Sequence, residues 1–235
     1  MSPASTTRPL SRATRLAIWA GIVGPILFIA VFTVDGFLTP GYSAVNDAVS
    51  YLSLGSHGWI QAANFIATGL LLGIFALGFA RRMGPVIARG WLYAGATLLL
   101  LSGLGYVTAG VFTSAPPGQP QHPLHTIAFS VVFFSAAMAC LITGWQLIKT
   151  QAWRGFGWYS IITGLLTITP PLGNLSSLFA PTPATPVSSP APDLPFFGIV
   201  NRLVIVVASA WCVALASRML ASSGADGRAP QDSED

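Results

Sequence analysis

Apolar residues come along this chain in six long runs, over 16–38, 58–80, 90–112, 125–148, 156–179 and 196–218. Short polar stretches rich in glycine and proline separate them. A bilayer hydrocarbon core about 30 Å thick needs about 20 apolar residues in helix, and every run meets that length. Backbone polar groups in lipid must be satisfied within the segment or in a closed barrel, and these runs lack the alternating pattern of barrel strands. The pattern predicts an all-α fold, a polytopic membrane bundle of six transmembrane helices over 16–218. A cytoplasmic tail at 1–15 precedes it, and a disordered cytoplasmic tail, rich in Ser, Gly and acid, follows at 219–235.

Between the first two runs, Val45, Ala48, Val49 and Leu52 recur at helical spacing, with Asn46, Asp47, Ser50 and Ser53 on other faces. Ser43 can cap such a segment. The first outer loop is therefore expected to hold a short amphipathic helix lying on the membrane face. Gly69 and Gly73 form a small-xxx-small pair that lets helices approach closely. Pro170 and Pro171 fall within the fifth run, where a missing backbone donor predicts a kink, and Asn174, Ser176 and Ser177 follow. The six prolines of 180–195 predict an extended linker.

Composition agrees with the pattern. Hydrophobic residues make up 53% and charged residues 8% of 235, against about 25% charged in soluble domains. So few charges cannot build a water-facing surface. Arg8, Arg12, Arg15, Arg81, Arg82, Arg89, Lys149, Arg154, Arg218 and Arg228 all fall on one side of the predicted topology, and the opposite loops carry no Lys or Arg. The positive-inside rule makes that side cytoplasmic and places both termini there. The basic residues thus serve orientation, and nothing points to nucleic acid. The first apolar run is longer than a signal-peptide core and no small-residue cleavage site follows it, so it is expected to remain as a helix. Cys140 and Cys212 sit inside apolar runs and read as packing residues.

Most polar residues near the membrane lie toward the outer side. The candidate pocket there comprises Asp35, Tyr42, Asp47, Ser50, Asn64, His122, His125, Asn174 and Arg202. His122 and His125, three apart at the entry to the fourth helix, are the candidate metal ligands, with Asp35 or Asp47 to complete a set. The structural alternative is that they bond loop carbonyls and no cofactor is held. Ser50, Asp47 and a His can be written as a hydrolytic set, whose hydrogen-bond geometry sequence does not supply. Arg202 is the one base outside the cytoplasmic group. Six residues into the last helix, it calls for a partner, and Asp35 is expected to pair with it, with snorkelling to lipid phosphate as the alternative.

Pro40-Gly41-Tyr42-Ser43, then Ser50-x-Leu-Ser, Gly58-Trp59, Asn64-Phe65 and Gly69-Leu-Leu resemble the bacterial membrane family catalogued as domain of unknown function 998. Gly110-Val-Phe112 followed by an outer-loop His is similar to it as well. The resemblance covers about 16–218 and implies six helices in a bacterial membrane, with no established activity. Where the family pattern leads one to expect an acidic residue, this chain has Thr113-Ser114-Ala115. The expectation is a multi-pass protein of the bacterial inner membrane whose partners are membrane lipids and whose polar pocket faces outward. Lipid binding or membrane organisation stands first. A lipid hydrolase, metal-assisted or serine-type, and a small transporter are the alternatives.

Overall fold

The structure is a computed structural model that describes residues 10–116, 119–169 and 196–224. The described residues include six α-helices: α1 (Arg12–Leu38), α2 (Gly58–Arg82), α3 (Arg89–Val111), α4 (Pro123–Leu147), α5 (Arg154–Thr167) and α6 (Phe197–Gly224). Two short 3-10 helices, Val49–Ser53 and Gln151–Trp153, complete the elements, and the described residues include no strand. Five of the helices, all but α5, are long and apolar enough to cross a membrane. The kink expected at Pro170 and Pro171, the polar residues Asn174, Ser176 and Ser177, and the linker at 180–195 lie outside the described residues.

Local chemistry sets the helix ends. Ser11 Oγ accepts the Thr14 N–H at 3.2 Å and opens α1. Pro123 occupies the first turn of α4, where its missing N–H costs no helical bond, and the ring of His122 caps that turn. At the far end of α1 the Thr39 hydroxyl donates to the Asp35 carbonyl at 2.8 Å. Residues 219–224, expected in a disordered tail, belong instead to α6. Met219 is fully buried and Arg82 donates to Ser222 Oγ at 2.9 Å, and these contacts carry α6 on to Gly224.

Each helix packs against its neighbours in sequence, and α6 closes the ring on both α1 and α5. The packing is antiparallel throughout. Gly21 faces Phe75 and Gly78 faces Ala17 between α1 and α2, whereas Gly144 faces Gly157 and Gly164 faces Ala137 between α4 and α5. Gly69 finds its partner in α3. A Cβ on Gly69 would lie 2.3 Å from the Gly103 carbonyl oxygen, and one on Gly103 would lie 2.6 Å from the Gly69 oxygen. Such contact lets dispersion act between backbones, the main attraction left to helices in lipid.

Up-and-down packing gathers Arg12, Arg15, Arg81, Arg82, Arg89, Lys149, Arg154 and Arg218 at one end of the bundle. Trp91, Trp145 and Trp158 stand exposed at that arginine end, Lys149 lying 5.3 Å from the Trp145 ring. Phe37 and Trp59 stand exposed at the opposite end, which carries the 39–57 segment. Exposed tryptophans beside cations are typical of the cytoplasmic level of a bilayer interface.

The 39–57 segment is not the expected amphipathic helix. It makes a turn at Gly41, a second turn over 43–47, an extended residue at Ala48 and the 3-10 helix Val49–Ser53. The start of α6 explains the difference. A continuous helix would bond the Val49 N–H to the Val45 carbonyl. Instead Asn201 Oδ1 accepts the Val49 N–H at 3.1 Å, and the Val45 carbonyl accepts the Ile199 N–H at 3.1 Å. The expected apolar face survives in part: Ala48, Val49 and Leu52 are buried, while Val45 is exposed.

The Gly69–Gly103 seam gives a first prediction. Gly69→Ala or Gly103→Ala should destabilise the protein by about 1–3 kcal/mol, the usual range for overpacking. Gly90→Ala, with nothing within 4 Å of the added methyl, should be neutral or mildly stabilising. Thermal unfolding in detergent compares them, and equal effects at Gly69 and Gly90 would count against the seam.

Candidate functional site

A cleft opens at the end opposite the arginines. Its volume is about 370 Å³, and it is walled by Thr39, Pro40, Gly41, Tyr42, Asp47, Tyr51, Leu52, Leu54, Gly55, Ser56 and His57. The whole lining comes from one connecting segment and the residue that caps α2. Gly41 at φ 77 and Gly55 at φ 87 make the tight turns at its two ends. Asp47 Oδ2 accepts the Ser43 N–H at 2.7 Å, while the Ser43 carbonyl accepts the Asp47 N–H, also at 2.7 Å. That reciprocal pair closes the middle turn and turns the Asp47 side chain back onto its own loop.

Arg202 pins this loop to α6. Its Nη1 donates to the carbonyls of Ala44 at 2.8 Å, Asp47 at 3.0 Å and Gly198 at 3.0 Å, and its Nη2 donates to the Tyr42 hydroxyl. Tyr42 in turn donates to the Ala48 carbonyl at 3.2 Å. The guanidinium lies 5.3 Å from the Tyr42 ring centre and 5.9 Å from that of Phe32, within range of cation–π attraction. Gly198 lets the loop lie flush on the helix, because a Cβ there would meet the carbonyl oxygens of Ala44 and Asp47 at 2.7 Å. Burial raises the Tyr42 pKa above its ordinary value and the adjacent Arg202 opposes that shift. The phenol therefore stays protonated and keeps donating at neutral pH.

The ion pair expected between Asp35 and Arg202 is not formed. Arg202 spends its donors on carbonyls and a phenol, and Asp35 Oδ2 is buried with no hydrogen-bond partner. Loop carbonyls reach the cation from directly above α6, whereas Asp35 belongs to α1 and interacts electrostatically with His57.

The remaining candidates separate into distinct places. Ser50 and His125 line a second cavity of about 50 Å³, with Val49, Asn201, Phe28 and Tyr106 among its other walls, on the far side of the 3-10 helix from the cleft. Ser50, Asp47 and His125 therefore share no single pocket. His125 Nδ1 bonds the Phe112 carbonyl at 2.7 Å, and His122 stacks on the Phe112 ring with centroids 4.8 Å apart. His122 Nδ1 accepts the Leu124 N–H at 3.2 Å. One nitrogen of each histidine is thus engaged by the backbone, and no group of three or more His, Cys, Asp or Glu among the described residues is placed to hold a metal. Asn64 is buried in the bundle, its Nδ2 donating to the Phe28 carbonyl at 3.1 Å. Asn174 lies outside the described residues.

Sequence reasoning passed over Ser56 and His57. They line the cleft, and Ser56 Oγ lies 3.2 Å from His57 Nδ1. Their signal was Gly55-Ser56-His57-Gly58, two polar residues between glycines directly before an apolar run.

An all-helical chain with five membrane-length apolar helices, tryptophans exposed at its arginine end and a polar cleft at the other has the character of a membrane protein. A family model described as a protein of unknown function, DUF998, matches residues 22–218, and the chain belongs to that family. No curated protein matches the chain, and no solved structure matches it.

The separation of Asp35 from Arg202 makes a second prediction. Asp35→Asn and Arg202→Gln should change thermal stability additively, within about 0.5 kcal/mol, as uncoupled sites do. Arg202→Gln should be the more damaging, because charge-assisted hydrogen bonds are worth about 1.5–3 kcal/mol each. A double variant more stable than the sum of the single losses would restore the ion pair.

Proposed function

We propose that this is a six-span protein of the bacterial inner membrane, with both termini in the cytoplasm, that binds the polar part of a membrane amphiphile in an outward-facing cleft. The observation that carries this reading is the cleft itself. Its 370 Å³ lies within the range of about 300–1,000 Å³ typical of small-molecule sites. The lining includes Asp47, Ser56 and His57, with no Lys or Arg. That chemistry suits a hydroxyl- or amine-bearing headgroup better than a bare phosphate. Phe37 and Trp59, exposed on the helices that flank the loop, supply an apolar rim on which the tails of such a molecule can lie. The arginine asymmetry supports the orientation, since Lys and Arg favour the cytoplasmic side.

A second reading has its own observation. Ser56 Oγ lies 3.2 Å from His57 Nδ1, and His57 interacts with Asp35. A serine within hydrogen-bond reach of a base is the core of an acyl-transfer nucleophile. Adjacent exposed residues at one loop end hold that geometry loosely, so binding stands first.

Orientation is tested by reporter fusions after Pro85 and Ala152, expected to read cytoplasmic, and after Ala115, expected to read periplasmic. The reverse assignment would overturn the outward cleft. Ligand retention is tested by native mass spectrometry of protein released from membranes. A headgroup-selective lipid should remain bound, and Ser56→Ala with His57→Ala should weaken retention about tenfold, the effect of one lost hydrogen bond of ~1.4 kcal/mol. His122→Ala, exposed outside the cleft, should leave retention unchanged. Covalent capture of Ser56 by a fluorophosphonate would favour the hydrolase instead.

A further inference from the structure

Four of the six buried side-chain atoms without a hydrogen-bond partner among the described residues fall on the α1/α2 half of the cleft end. They are Asp35 Oδ2, Gln61 Nε2, Asn64 Oδ1 and Thr68 Oγ1. Gln61, Asn64 and Thr68 are spaced three and four apart, which stacks them on one face of α2. All are nine-tenths buried or more, at 0%, 5% and 6% exposure, and Asp35 is 7% exposed. The Asn64–Phe28 hydrogen bond turns this face toward α1 and fixes the register. Seven residues further along α1 comes Asp35, and seven residues back from Asn64 comes His57, with which Asp35 interacts. The two helices thus bring Asp35 to the mouth of the column at the cleft end. At its other end Thr68 borders a central cavity of about 40 Å³ that Ser102 and Ser209 also line. Thr68 stands ten residues inside α2, roughly 15 Å along its axis, near the middle of a hydrocarbon core about 30 Å thick.

The chemistry of the orphan atoms selects what belongs there. The Phe28 carbonyl can only accept, so Asn64 presents its Nδ2 to it, and that same Nδ2 donates to Gln61 Oε1 at 3.3 Å. Both amide orientations are thereby assigned. Gln61 Nε2 is left as a donor, Asn64 Oδ1 and Asp35 Oδ2 as acceptors, and the Thr68 hydroxyl as both. A metal cation would meet the Nε2 hydrogens, and an anion would meet the carboxylate. Water donates and accepts, and buried water typically satisfies polar groups that the protein leaves unpaired. In a dry apolar seam each of these groups would instead carry the full cost of a buried, unmade hydrogen bond.

We propose that the α1/α2 seam is a water-binding column that runs from the cleft end to the centre of the bundle and ends in the cavity bordered by Thr68, Ser102 and Ser209. It does not depend on what occupies the cleft. It brings water to the mid-plane from one face, which is the physical requirement for moving protons or small neutral solutes half-way through an apolar bundle.

X-ray radiolytic labelling of the full chain in lipid nanodiscs tests this, because hydroxyl radicals formed from bound water modify the side chains beside it. Phe28 and Phe65, beside the column at 1% and 7% exposure, should be modified well above Phe75 and Phe79 toward the arginine end, both at 0%, with Phe28 the closely matched comparison. Modification at the same background level in all four would overturn the column. Thr68→Val tests its inner end separately. Loss of a hydrated hydroxyl should lower the thermal midpoint by about 2–4 °C, whereas a dry orphan hydroxyl replaced by methyl would leave it unchanged or raise it, and that result would overturn the extension to the central cavity. If the variant does not fold, labelling of the unmodified protein at Phe28 and Phe65 still decides.

Discussion

Lipid neither forms hydrogen bonds nor drives apolar side chains together, and the bundle depends on that constraint. With no hydrophobic gain between helices inside a bilayer, they must hold one another by close contact. The glycines stand where that contact is made. Gly69 against Gly103, Gly144 against Gly157 and Gly164 against the Ala137 carbonyl bring backbones so near that a single methyl group would separate them. Large side chains then fill the space on either side of these seams, with Phe75, Phe79 and Trp211 toward the arginine end and Phe28, Phe32 and Phe65 toward the cleft. The closed ring follows. Consecutive helices from α1 to α5 are tied by a small-residue seam or by a ring packed onto a glycine, and α6 is drawn against α1 and α5, with Trp211 donating to Ser160 Oγ at 2.8 Å.

At the cleft end the governing chemistry changes from contact to hydrogen bonding. A loop laid over a membrane helix has carbonyls to satisfy, and the first turn of that helix has N–H groups with no intrahelical acceptor. Arg202 and Asn201 resolve both at once. The arginine serves three carbonyls and a phenol, the asparagine takes the Val49 N–H, and the Ile199 N–H goes to the Val45 carbonyl. A cation surrounded by neutral acceptors and two aromatic faces needs no carboxylate, which is why Asp35 is free of it. The same set of bonds dismantles the helix that the loop's periodicity suggests, and shapes the segment into the wall of a cleft.

This division explains what could be read from the sequence. Hydrophobic run length reports membrane spans directly, because the bilayer imposes one thickness on every helix, and the five long helices fall where the runs do. Small-residue spacing reported a close approach at Gly69 but not its partner, since Gly103 is one of many glycines of equal standing in sequence. The cleft was harder to see. Tyr42 and Asp47 were recognised, but His122 and His125 drew attention by their spacing, whereas the cleft histidine is His57, one residue before a helix. Its meaning depends on how two turns fold the segment back, and those turns are fixed by α6, some 150 residues further on (Val49 to Asn201 spans 152). The pairing of Arg202 with Asp35 failed for a related reason. Side-chain charge can be counted along a sequence, but backbone carbonyls, which every residue carries, leave no mark there.

The polar face of α2 shows the two regimes meeting in one element. Its lower half, with Gly69, Phe75, Gly78 and Phe79, is packed as tightly as any part of the bundle. Its upper half carries Gln61, Asn64 and Thr68, fully enclosed yet with unused hydrogen-bonding atoms. A helix selected only for packing would place Leu or Ala at those three positions, because apolar side chains of similar size leave no buried polar group unsatisfied. Tight packing below Thr68 and incomplete satisfaction above it make a seam that is closed toward the arginine end and hospitable to polar matter toward the cleft. The asymmetry of the bundle therefore lies inside it as well as in its loops, and it points the same way.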